Sequence, residues 1–223
     1  MLKSQSALCL VGALSAALAV VADLALQYTG ISAHVGSKEY AYLLDVSSSR
    51  LLFGHFAGVV AVLLEIFGFW GVALAFYGRA LRLTFFAVSA LAFSVGAAFH
   101  AMFAAIGLAL QFASTSGAGP AFLSGLASAV RPAHEGLGAV TVIGILALSV
   151  LLSAAAAFGR TSYPRWMAVL SPLPVILLLA LLTRAIPSLR LVLLPAGLNF
   201  ANLVLFAFAA VVTKGSNASG AAA

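Results

Sequence analysis

Hydrophobic positions in this chain fall into six long runs separated by short polar joints. The runs extend from about Ser6 to Leu26, Leu51 to Tyr77, Leu83 to Phe112, Gly136 to Phe158, Trp166 to Leu182 and Leu191 to Val212. Each is near or above the ~20 residues that cross a ~30 Å hydrocarbon layer as a helix. A backbone in lipid must satisfy its own N–H and C=O groups, and these runs lack the alternation of a membrane-barrel strand. The expected class is therefore all-α, a polytopic transmembrane bundle of six helices. One domain should cover residues 1–214, and residues 215–223, small side chains with one Asn, read as a disordered tail or added remnant.

Composition agrees with the pattern: 64% of residues are hydrophobic and 7% charged, and mean hydropathy is +1.17. The net charge of +6 is spread singly over segment ends and forms no patch, which argues against a nucleic-acid partner and for contact with membrane lipids. With the N-terminus inside, Lys3, Arg79, Arg82, Arg160, Arg165 and Lys214 are cytoplasmic. Lys38, Arg50, Arg131, Arg184 and Arg190 then lie outside with Glu39, Asp45 and Glu135. The basic excess inside is a single residue, and it favours N-in and C-in termini in an inner membrane.

The first run has features of a signal peptide, with Lys3 ahead of an apolar stretch. Its length, and Asp23 where cleavage would fall, favour a retained helix. Cys9, the lone cysteine, excludes an internal disulfide and reads as a small buried side chain. Two joints have the length of lids or of plain connections: Tyr28 to Arg50, and a short amphipathic helix from Ala121 to Val130 after the flexible Ser114 to Gly119 stretch. Pro172 and Pro174 predict a kink in the fifth span. Asn217-Ala-Ser is a glycosylation sequon on the expected inner side, where it is inert.

The polar residues stranded inside the runs carry the functional signal. At ~1.5 Å rise per residue, Asp23, His55, His100 and Asn199 fall in the expected outer half of the membrane, with His134 and Glu135 at the outer start of span four. Glu65 reaches the bilayer centre, and Asn202 lies slightly deeper than that. At about 100° per residue, Ser89, Gly96, His100 and Gly107 form one stripe, bordered by Phe93 and avoided by Ser94. Pro195, Asn199, Asn202 and Thr213 form a second, and His55, Gly58, Val62 and Glu65 a third. These stripes should face the bundle. An intramembrane charge costs about 2.5–3.5 kcal/mol, so Glu65 must be paired, hydrogen-bonded, protonated or hydrated. The Gly54 to Gly58 small-xxx-small spacing reads as helix packing.

Several chemistries fit such a set. A metal site is disfavoured, because no H-x-x-x-H or H-E-x-x-H spacing occurs and the histidines lie on separate helices. Haem between His55 and His100 is weaker still, and no pattern points to another cofactor. A central carboxylate with outer histidines suits proton or solute traffic, although the cytoplasmic half offers almost nothing titratable. An intramembrane enzyme could use His100 or Glu65 as proton carrier and Asn199 as orienter on a lipid or sterol-like substrate. Plain structure competes with all of these: Asp23 paired with Arg50, and His100 as a hydrogen-bonded interior histidine.

The stretches Ala22-Asp23-Leu24-Ala25, Ser47-Ser48-Ser49-Arg50 leading into Gly54 and Gly58, Tyr163-Pro164-Arg165-Trp166 leading into Pro172, and Gly197 to Asn199 run across most of the chain. In these the chain resembles an uncharacterised family of bacterial multi-pass proteins, domain-of-unknown-function family 6796. The resemblance brings no activity. It implies roles for Asp23, Arg50 and Trp166, and leaves His55 and Glu65 outside its pattern.

Together these features predict an inner-membrane protein with a polar cavity open to the outer side that binds or transports a small or lipid-like ligand. The ligand-binding candidates are Asp23, Arg50, His55, Glu65, His100, Asn199 and Asn202. An intramembrane enzyme and a structural partner of another membrane protein remain the alternatives.

Overall fold

The computed structural model describes residues 2–28 and 40–220. The middle of the first candidate lid, with Lys38 and Glu39, lies outside the described residues, as do the side chains of the Asn217 sequon and residues 221–223. The helices are α1 (Leu2–Gln27), α2 (Ser48–Ala73), α3 (Arg79–Thr115), α4 (Pro120–Ala157), α5 (Pro172–Ala185) and α6 (Arg190–Gly220). Single 3-10 turns cover Ala41–Leu44, Arg165–Leu170 and Pro187–Leu189. Five helices are long and apolar enough to cross a membrane, and α5 is a shorter apolar helix. The chain is an all-α polytopic bundle, and large side chains such as Leu14, Phe56, Leu91, Ile143, Leu181 and Val211 face outward as lipid-facing positions do.

The helices pack as a ring. α6 lies on α1, α1 on α2, α2 on α3 and α3 on α4, while α5 closes the circle between α6 and α4. The closest approach is between α1 and α2, where glycine makes it possible. A Cβ on Gly12 would stand 2.5 Å from Cα of Gly68, and one on Gly71 would stand 2.8 Å from Sγ of Cys9. The lone cysteine is buried there, as expected. Beneath this seam Phe69 packs edge-on to Phe206 at 4.8 Å and tilted on Phe93 at 4.7 Å, joining α2, α6 and α3 in one core.

At one end of the bundle the α2–α3 and α4–α5 connections bind each other. Tyr77 N–H donates to the Arg160 carbonyl at 2.8 Å, and Ser162 N–H to the Ala75 carbonyl at 2.9 Å. The Ser6 hydroxyl donates to the Ala210 carbonyl at 3.0 Å, which ties the start of α1 to the far part of α6 at the same end. Tyr163 is buried here, and burial pushes its phenol well above the ordinary tyrosine range.

The other end carries the two longest helices. α3 has 37 residues and α4 has 38, so each is over 50 Å long at ~1.5 Å per residue. The segment expected to form a separate Ala121–Val130 helix is instead the first part of α4, continuous with the span through Pro132. Pro120 stands in the first turn, where its missing N–H has no helical partner to lose. Residues 40–47 fold onto this projecting hairpin, burying Tyr42, Leu43 and Val46 with Phe103, Ile106 and Leu110. Gln111 fastens them: its amide donates to the carbonyls of Leu43 and Val46 at 2.8 and 2.5 Å and accepts from the Ser48 hydroxyl at 2.8 Å.

The fifth span differs from its expected form. The prolines do not kink a helix running from Trp166; a 3-10 turn covers Arg165–Leu170, and Pro172 opens α5. Pro174 follows within the first turn, where donors are unpaired in any helix. Ser149 on α4 accepts from Leu173 N–H at 3.0 Å, and Ser153 bonds the Ala168 carbonyl and the Ser171 hydroxyl at 2.9 and 2.8 Å. Side chains of α4 therefore supply the cap that α5 lacks on its own.

Candidate functional site

Asp23 ends one turn before the close of α1 with its carboxylate turned into the bundle. Its Oδ1 lies 2.9 Å from Nε2 of His100 on α3, and its Oδ2 accepts from the Asn199 amide of α6 at 2.7 Å. All three residues are buried. α1 and α3 are separated by α2, and Gly58 is what lets the imidazole reach across: a Cβ there would lie 2.3 Å from Cε1 of the ring. A glycine that reads as ordinary packing therefore admits one particular side chain.

Three residues further along α6, about 4.5 Å deeper, the Asn202 amide donates to Oε2 of Glu65 on α2 at 2.6 Å. Both residues are fully buried, at 0% exposure. Oε1 of Glu65 and Oδ1 of Asn202 have no hydrogen-bond partner. Asp23 is near enough to act electrostatically on Glu65. The two layers form one buried polar column along the α1–α2–α6 seam, with α3 entering at the upper layer.

Most of the three stripes turns inward: Ser89, Gly96, His100 and Gly107 are buried while Ser94 is exposed, and Gly58, Val62, Glu65, Asn199, Asn202 and Thr213 are buried as well, whereas His55 and Pro195 are half-buried. What they meet is helix rather than solvent. The outward-facing polar cavity expected here is not found among the described residues. Cavities among the described residues include a surface recess of about 650 Å³ beside Ser47 and Gln111, an apolar groove of about 340 Å³ among α4, α5 and α6, and a recess of about 490 Å³ near Arg160. No residue of the column lines them. The reason is volume: an Ala- and Gly-rich seam brings backbones so close that the polar groups fill the space between them.

Two candidates lie apart. Arg50 does not pair with Asp23; its guanidinium donates to the carbonyls of Leu24 and Tyr28 at 3.2 and 2.6 Å, capping the C-terminal end of α1. The Leu24 carbonyl also accepts from Tyr28 N–H at 3.0 Å, and a cation is favoured where carbonyls gather at a helix C-terminus. His55, half-buried, packs edge-on to Phe56 at 4.8 Å and is not joined to the column. Trp166, which the resemblance singles out, is partly exposed and packs edge-on to Phe208 at 6.0 Å.

The structure adds a second polar contact that helical spacing could not disclose. Nδ1 of His134 on α4 lies 2.8 Å from the Tyr40 hydroxyl, and its ring stacks on Phe99 at 4.2 Å. Tyr40 holds a left-handed φ of 55°, uncommon for a side chain of this size, and the bond to His134 fixes it. Burial raises its phenol, the Glu135 carboxylate adds to the rise, and Arg131 opposes it.

Chemically, the upper layer is a carboxylate that orients an imidazole and is itself oriented by an amide. Asp23 and His100 can share or exchange a proton, and Asn199 holds the carboxylate while they do. The other ring nitrogen, Nδ1, is buried against Gly58. A substrate seeking a general base there meets α2 first. The lower layer is a carboxylic group and an amide sharing a single donor.

No curated protein and no solved structure matches the chain. The family model for a family of unknown function, DUF6796, matches residues 2–216. Asp23, His100, Asn199, Glu65 and Asn202 all lie within that stretch, and the chain belongs to this family.

Proposed function

We propose that the protein is a proton-linked binder or carrier of a small ligand in a bacterial inner membrane, with N-in and C-in termini and six spans. The Asp23–His100–Asn199 layer is its outer station and the Glu65–Asn202 pair its deeper one. One observation carries the reading. The lower pair has two buried acceptor oxygens and no donor for either. A proton on Glu65 supplies a donor and removes a charge that costs about 2.5–3.5 kcal/mol in a bilayer. A group that needs a proton when the seam is closed, beside a histidine–carboxylate pair able to deliver one, is what proton-linked exchange requires.

Ligand access then means parting the seam, and exposing Glu65 would release its proton. Arg50 and His55 stand outside this mechanism. The orientation is supported by Arg79, Arg82, Arg160, Arg165 and Lys214 gathering at the end without acidic residues, as the positive-inside tendency demands.

The test is proton movement in vesicles reconstituted with the full chain and a trapped pH dye, under an imposed pH gradient. Glu65→Gln supplies the missing donor permanently, so it should fold and melt like the parent yet move protons at the rate of protein-free vesicles. Ser6→Ala, far from the column, should behave as the parent. A Glu65→Gln protein that conducts at the parental rate overturns the proposal.

A further inference from the structure

The groove among α4, α5 and α6 carries a separate inference. Its wall is wholly apolar, formed by residues including Ile145 and Leu146 of α4, Ile176 and Leu179 of α5, and Leu194 and Gly197 of α6. It is open at the outer rim, where Leu146 and Leu194 are exposed, and its floor is the buried Ile145. The opening follows from α5 itself. Its 14 residues reach about 21 Å, and the 3-10 turns Arg165–Leu170 and Pro187–Leu189 complete the crossing, so regular helix fills the flank between α4 and α6 over only part of the ~30 Å hydrocarbon layer.

Of the helices that border the groove, α5 and α6 each carry a cation about one turn beyond it. On α5 the groove-side stripe Leu173, Ile176, Ala180 continues at helical spacing to Arg184. On α6 the stripe Gly197, Leu194 continues back to Arg190. Both arginines are exposed. Arg184 suits the carbonyl end of α5, but Arg190 stands at the first residue of α6, where the helix dipole disfavours a cation. Capping does not explain its position.

We propose that this flank is a binding site for an anionic phospholipid, with an acyl chain in the α4–α5–α6 groove and the headgroup phosphate held by Arg184 and Arg190. An apolar slot on the helix flank, with two exposed arginines one helical turn beyond it, matches the chemistry of that molecule along its whole length. The inference does not depend on the proton-linked reading, since it uses none of the same residues.

The test uses the full chain in mild detergent with phosphatidylglycerol or phosphatidylcholine added, read by native mass spectrometry and by thermal shift. Phosphatidylglycerol should be retained and should raise the melting temperature more than phosphatidylcholine does. The Arg184→Gln, Arg190→Gln double variant should weaken phosphatidylglycerol retention by at least about tenfold, from about 1 kcal/mol per cation near an anionic surface. Arg79→Gln with Arg165→Gln, the same charge change at the opposite end, should leave it unchanged. Gly197→Leu, which fills the slot and spares both cations, should lower retention as well. Equal retention of the two lipids, or equal loss in both double variants, would mean attraction to net charge alone and would overturn the site.

Discussion

The α1–α2–α6 seam and the α4–α5–α6 flank are built from the same kinds of residue and pack in opposite ways. In the seam, glycines bring backbones together until Gly12 and Gly68 nearly touch, and the polar groups of four helices fill the remaining space. In the flank, branched side chains hold the helices apart and a groove of about 340 Å³ remains. Lipid supplies no hydrophobic drive between helices, so close packing and interhelical hydrogen bonds decide which contacts hold. The seam has both. The flank relies on the Ser149 and Ser153 contacts at one end of α5, which makes it the side able to admit a lipid.

The comparison can be broken most severely at the polar column. His100→Ala leaves the Asp23 carboxylate buried with one partner, and removing one member of a buried pair costs about 3–5 kcal/mol. Thermal unfolding in detergent should register this as the largest loss among single variants. A double-mutant cycle sharpens the point: Asp23→Asn with His100→Ala should be strongly non-additive, with a coupling of roughly 0.5–3 kcal/mol, whereas Asp23→Asn with Arg50→Gln should be additive. Coupling in the second cycle would reinstate the ion pair that the structure replaces with a helix cap.

Next in size is Gly68→Val. Even a Cβ would stand 2.6 Å from the Gly12 backbone, which cannot move aside as a side chain can. Overpacking of this sort costs about 1–3 kcal/mol. Gly125→Ala, with nothing within 4 Å of its added carbon, is the control and should melt no lower than the parent, since Ala favours the helix over Gly. In the flank, Leu179→Ala removes a half-buried side chain beside an existing groove. It should change stability by no more than about 0.5 kcal/mol in the same assay.

The smallest effect concerns the segment folded over α3 and α4. Burial raises the Tyr42 phenol, with Tyr40 adding to it, so the folded protein keeps a proton that the unfolded chain loses near pH 10. The stabilisation is complete below that pH and declines as pH climbs toward the raised value. Tyrosinate absorbance should therefore show a late-titrating fraction that shrinks in Tyr42→Phe, the remainder coming from Tyr163 and Tyr40, whose phenols burial also raises.

Much was written in the sequence. Run length and hydropathy specify a membrane-embedded all-α bundle because no other backbone arrangement survives in lipid. Helical periodicity turns His100, Glu65, Asn199 and Asn202 inward because each stripe is internal to one helix. The motifs around Asp23, Arg50 and Trp166 carry the resemblance to the family whose model matches residues 2–216. What lies between helices was not written there. The choice of His100 over Arg50 as the partner of Asp23 depends on Gly58 opening a path across α2, and the separation of Glu65 from any cation depends on the register of α2 against α6. The length of α5 depends on serines of α4 that supply its cap. Each is a matter of distance between segments far apart in the chain, set by how closely small residues let backbones approach. Periodicity fixes which way a side chain points, and only the assembled bundle fixes what it finds there.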